Sequence, residues 1–107
     1  MRGKQKLEIA KSFVEEVKNL GVDHVYIDIA IYNQEKVTLE EQRNFSEINY
    51  IDVWDDMRKR LVLNGLKINL LDVEVNFTRV KVGDKTNLIL ILDNEKRHIE
   101  IEVLKEC

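Results

Sequence analysis

Residues 87–94 read NLILILDN, with five consecutive aliphatic side chains, Leu88 to Leu92, set between asparagines. Successive side chains of a strand point to opposite faces. This run therefore puts apolar groups on both faces of whatever sheet holds it. A strand of that kind is normally central and covered on both sides. The question it sets for the whole chain is what supplies the two covers.

The pattern elsewhere predicts the candidates. In residues 4–20, Leu7, Ala10, Phe13, Val14 and Val17 recur at three- and four-residue spacing, which predicts a helix closed by Gly21. In residues 23–33, Val25, Ile27, Ile29 and Ile31 alternate with Tyr26, Asp28, Ala30 and Tyr32, which predicts a strand with His24 on its polar face. Residues 33–36 suit a turn, and 37–45 a charged return strand at a sheet edge. Residues 50–63 predict a second helix: Asn49 as cap, acids in the first turn, and a stripe of Val53, Trp54, Met57 and Leu61 ending at Asn64-Gly65. Residues 66–82 read as extended, with phase breaks near 70–71 and 78–79. Gly83-Asp84 leads into strand 86–93, and a turn at 93–96 into strand 97–104. A weak self-similarity at an offset of 44 residues (Phe13 with Met57, Val17 with Leu61, Gly21 with Gly65) agrees with two helices.

The expected fold is α+β, in the order α-β-β-α-β-β-β, with a mainly antiparallel five-stranded sheet and two helices packed on one face. At 107 residues the chain is expected to form a single domain over 1–107. One helix is about 10 Å across and strands lie about 4.8 Å apart, so two helices shield about four strands on one face. Nothing remains for the other face. An even-numbered loop at 93–96 would set Leu90 opposite Ile99 and Leu88 opposite Ile101. Ile89 and Ile91 would then face the open side with His98, opposite Glu100 and His98. Three arrangements could satisfy this open face: a sheet that curls on itself, a homodimer contact, or a docking surface for another molecule.

Composition limits the function. Hydrophobic residues are 44% and charged residues 35%, a balance that buries a core and excludes a disordered chain. A net charge of −3 argues against nucleic acid as partner, because phosphate binding needs a basic footprint. No apolar run approaches the roughly 20 residues of a membrane helix, and MRGKQKLEIAK has no apolar segment of the signal-peptide kind. With Cys107 as the one cysteine, no internal disulfide can form, and the expected location is cytoplasmic.

Candidate chemistry is sparse. Tyr26, Asp28 and Tyr32 on one strand face could hold a ligand or a partner's basic side chain; the plainer reading is a half-solvated strand. Asp28 followed by Glu41-Gln42-Arg43 resembles the D…ExK pattern of restriction-endonuclease-type metal nucleases, with arginine where the lysine belongs. The resemblance implies metal-binding carboxylates at Asp28 and Glu41. Asp52, Asp55 and Asp56 read as helix-terminal acids, with Asp55–Lys59 and Asp56–Arg60 pairs, and not as a metal site. There is no serine elbow, glycine-rich phosphate loop or CxxC, so no cofactor is expected. The resulting expectation is a small acidic interaction protein, of inhibitor, immunity or adaptor type, that binds a protein partner or itself. Its contact face would comprise Tyr26, Asp28, Tyr32, Ile89, Ile91 and His98. The alternative is a small-ligand-binding protein or enzyme with a pocket near Tyr26, Asp28 and Tyr32, and a metal nuclease is more remote.

Overall fold

A computed structural model describes residues 3–106, so Met1, Arg2 and Cys107 lie outside the described residues. One helix and eight strands follow in order: α1 (Gly3–Asn19), β1 (Val25–Asn33), β2 (Thr38–Phe45), β3 (Ile51–Trp54), β4 (Arg60–Leu63), β5 (Leu66–Asn69), β6 (Glu74–Val82), β7 (Lys85–Asp93) and β8 (Arg97–Lys105). The fold is α+β. Five strands make an antiparallel sheet in the order β2-β1-β8-β7-β6, and β3-β4-β5 make a separate three-stranded meander.

The expected second helix is absent, and residues 50–63 form the β3-β4 hairpin instead. The same stretch carries two periods. Val53, Trp54, Met57 and Leu61 fit a helix stripe, while Ile51/Val53 and Leu61/Leu63 fit strands, and burial chose the second. Ile51, Val53, Leu61 and Leu63 are buried, whereas Met57 is 94% exposed at the hairpin tip. The tip is built by Asp56, whose Oδ1 accepts the backbone N–H groups of Arg58 (2.9 Å) and Lys59 (3.2 Å). Both forecast ion pairs form there, Asp55–Lys59 at 2.6 Å and Asp56–Arg60 at 3.5 Å, but across a turn. Asn64 and Gly65, expected to end a helix, are the two positive-φ residues (48° and 87°) of a tight turn between β4 and β5. That is the type I′ geometry for which Asn-Gly is the favoured pair. The Asn64 side chain, not Asn49, does the capping. Its Oδ1 accepts from the Asn49 and Tyr50 N–H groups and its Nδ2 donates to the Glu47 carbonyl. The apparent repeat at offset 44 thus pairs a helix with a hairpin.

Helix α1 forms as its spacing predicts. Ala10, Phe13, Val14 and Val17 are buried, Phe13 meets Phe77 edge-on at 5.4 Å, and Gly21 ends the helix at φ 85°. Buried Lys6 donates from Nζ to the Leu71 carbonyl (2.7 Å), tying the helix to the β5-β6 connection. His24 lies in the turn before β1 at φ 57° and not on the strand. Only the first of the two expected phase breaks is real. Residues 70–73 carry the chain from one sheet to the other, while β6 pairs with β7 without a bulge, and Val80 and Val82 are simply exposed.

The large sheet answers half of the question posed by NLILILDN. Leu88, Leu90 and Leu92 face inward with Val25, Ile27, Ile29, Ile99, Ile101, Val103 and Val75, all buried. Their cover is α1, which lies against β6, β7 and β3, together with the inner face of the small sheet through Ile51, Val53, Leu61, Leu63 and Ile68. One helix and a three-stranded sheet thus do the work expected of two helices. The inward parity is as expected, but the register differs by two. Leu90 opposes Ile101 and Leu88 opposes Val103, because the turn closes one residue later, with Asn94 N–H donating to the Arg97 carbonyl (2.9 Å). The Asn94 side chain fixes that choice by accepting from the Lys96 and Arg97 N–H groups (both 2.8 Å).

Candidate functional site

The outer face of the large sheet is the surface on which sequence and structure converge. Cross-strand register arranges it in rows. Tyr26 lies opposite Leu104, then Asn87 and Val80; Asp28 opposite Glu102, then Ile89 and Thr78; Ala30 opposite Glu100, then Ile91 and Asn76; Tyr32 opposite His98, then Asp93 and Glu74. Ile89 and Ile91 are only partly buried, and no other element packs over this face among the described residues. All six expected residues, Tyr26, Asp28, Tyr32, Ile89, Ile91 and His98, share it.

They do not form one pocket. Tyr26 and Tyr32 are six residues apart on one strand, about 20 Å at roughly 3.4 Å per residue. Tyr26 and Asp28, with Leu104 and Glu102, line a shallow hollow of about 410 Å³ near the end of β2. Tyr32 stands at the opposite end, its ring centroid 5.9 Å from that of His98. Asp28 accepts from Gln42 Nε2 (3.2 Å) across the edge pair.

His98 is the one histidine of this surface, on the central strand at its Tyr32 end. Its Nδ1 lies 3.2 Å from Asp93 Oδ1 and its Nε2 3.0 Å from Glu100 Oε1. Burial disfavours the imidazolium, but the hydrogen bonds to Glu100 and Asp93 outweigh it, and the pKa stands above its ordinary 6.5. Asp93 also accepts from Gln34 Nε2, which links the β1-β2 turn to this corner.

The nuclease arrangement does not assemble. Glu41 pairs with Ile31 and so lies on the inward parity, whereas Asp28 points outward; Arg43 is tied to Glu41. Carboxylates on opposite faces of a strand pair cannot share a metal. Among the described residues no three His, Cys, Asp or Glu side chains are grouped to hold one.

Sequence reasoning missed two features. The acidic partners of Ile89 and Ile91, namely Glu102 and Glu100, required the register, which the turn alone decides. The second is a cleft of about 610 Å³ between β5 and the large sheet, floored by Ile31, Ile68, Leu92 and Ile99. It was invisible while β3-β5 read as helix. Its asparagines are occupied in turns: Asn33 accepts from Glu35 and Lys36, Asn69 from Leu71, Asn94 from Lys96 and Arg97. On the outside of the small sheet, Trp54 is not core as expected. It donates from Nε1 to Tyr50 Oη (2.7 Å), with the Arg60 and Lys67 cations 5.0 and 5.3 Å from its ring.

Set against known proteins, the chain matches no family model, no curated protein and no solved structure. No helix among the described residues is long and apolar enough to cross a membrane.

Proposed function

We propose that this protein acts by binding another protein through the outer face of its five-stranded sheet, without catalysis of its own. The observation that carries the reading is the position of Ile89 and Ile91. They sit on β7, beside the edge strand β6, with cover on the inner side of the same strand and, among the described residues, no element packed on theirs. Aliphatic side chains left uncovered on a sheet face are candidates for a contact. Tyr26, Tyr32 and Leu104 add large side chains on the same face, two of them with polar tips that suit a wet interface.

The test is site-specific photocrosslinking in the native host, with the reactive amino acid placed at position 89 or, as control, at position 57 on the exposed hairpin tip. The expected result is a defined crosslinked species from 89, absent from 57 and lost when Ile91→Lys is added. Equal patterns from the two positions, or none from 89, would overturn the reading. A small-ligand reading would be confined to the hollow at Tyr26, Asp28 and Leu104, because Tyr32 is out of its reach.

A further inference from the structure

We infer that the partner on this face presents a cationic surface and is not a second copy of this chain; the inference rests on the reading of the face as an interaction surface. The three central strands of the outer face carry four carboxylates, Asp28, Asp93, Glu100 and Glu102. Lys85 at the end of β7 pairs with Glu106 at 3.9 Å, and His98 is the one base beside those four. The whole chain has a formal charge of −3. With His98 neutral and Lys85 matched by Glu106, these strands hold −4 on this face, and −3 minus −4 leaves +1 for everything else. The charge is concentrated where the uncovered aliphatic side chains are.

Asp28 is set directly against Glu102. Like charges across an antiparallel pair repel at the distance where opposite charges would attract. Glu102 has no cation or hydrogen-bond donor beside it among the described residues. A carboxylate without a donor, beside partly exposed aliphatic side chains, complements Lys or Arg side chains that lay their aliphatic stems over Ile89 and Ile91.

A second copy fits poorly, because a twofold contact would bring two sets of the same four carboxylates together.

The experiment titrates the 15N-labelled protein with two synthetic peptides, one of alternating lysine and leucine and one with glutamate for every lysine. Sedimentation velocity of the free protein runs beside it. The inference expects a monomer, and amide shifts at Ile89, Ile91, Glu100 and Glu102 with the lysine peptide alone. The double variant Glu100→Gln/Glu102→Gln should weaken that binding about tenfold, from two surface charge pairs. Asp55→Asn/Asp56→Asn, on the small-sheet hairpin, should leave it unchanged. Equal binding of both peptides at this face overturns the cationic partner while the interaction face stands. A dimer whose interface protects Ile89 and Ile91 does the same. A monomer that binds neither peptide here overturns both. Equal weakening by the two double variants shows charge attraction that is not local, and overturns the inference.

Discussion

Adjacent residues of β7 should differ sharply in what they contribute to stability. Leu90 has no exposed surface and Ile91 is partly exposed on the outer face, although the two are similar in size and share one strand. Leu90→Ala removes buried methyl and methylene groups and leaves a cavity between the sheet, α1 and the small sheet. Such changes cost about 3–4 kcal/mol when the site cannot collapse. Ile91→Ala gives up only the contact with its neighbours Asn76 and Glu100, about 1 kcal/mol of partial burial. For a domain whose whole stability is about 5–15 kcal/mol, the first change is severe and the second mild. With a urea m-value of about 1.5 kcal/mol/M, the midpoints should fall by roughly 2 M and less than 1 M. Equal losses in a protein that sediments as a monomer would refute the assignment of faces, because Ile91 would then have to be covered by this chain itself.

Three further perturbations probe the rest of the structure. His98 has a pKa raised in the folded state, so its contribution is fully present below about 6.5 and is lost as pH rises through the higher folded value. Urea midpoints of the unaltered protein should therefore fall relative to His98→Gln between about pH 6 and 8, and NMR titration of the ring should place its pKa above 6.5. Asn64→Ala removes three hydrogen bonds and puts alanine at positive φ, for an expected loss of about 2 kcal/mol by thermal or urea unfolding. Gly65→Ala should cost about 1 kcal/mol from φ alone, since a methyl group there meets nothing within 4 Å. Glu102→Lys places a cation beside Asp28 and should leave the free protein as stable or slightly more so, while abolishing binding of the lysine-leucine peptide; a loss of more than 1 kcal/mol would contradict the picture of an uncovered face.

The parts legible in the sequence were those where one period stood alone. Helix α1 has no competing alternation, and β1, β7 and β8 have no competing helical stripe, so their faces could be read, including the outward placing of Ile89, Ile91 and His98. Residues 50–63 held both signals. The acids that resembled a helix N-terminus form the turn of a hairpin, where Asp56 is needed for its side-chain acceptor. Asn-Gly at 64–65 is both a helix stop and a hairpin turn, and only the strand on each side decides between them. Register was the other loss. The sequence could set parity, but Asn94 accepts from two N–H groups and moves the turn by one residue, which brings Ile91 beside Glu100 and His98 beside Asp93.

The two acidic regions of the chain make the contrast that favours a cationic partner. At the small-sheet hairpin the acids are matched locally. Asp55 is paired with Lys59 and Lys11, and Asp56 with backbone N–H groups and Arg60, and both carboxyl pKa values are held below their ordinary 3.8. Those pairs serve the free protein. On the open face the same chain sets Asp28 against Glu102 and keeps lysine and arginine off the central rows. Arg79 lies one residue from Thr78 and Val80 but on the inward parity, stacked on Phe77 and paired with Glu16 of α1. A sheet selected for its own stability gains by interleaving the two signs across strands. This one holds Arg79 on the inner face, and Glu102 stands against Asp28 with no cation beside it among the described residues, the arrangement that the proposed cationic partner would complement.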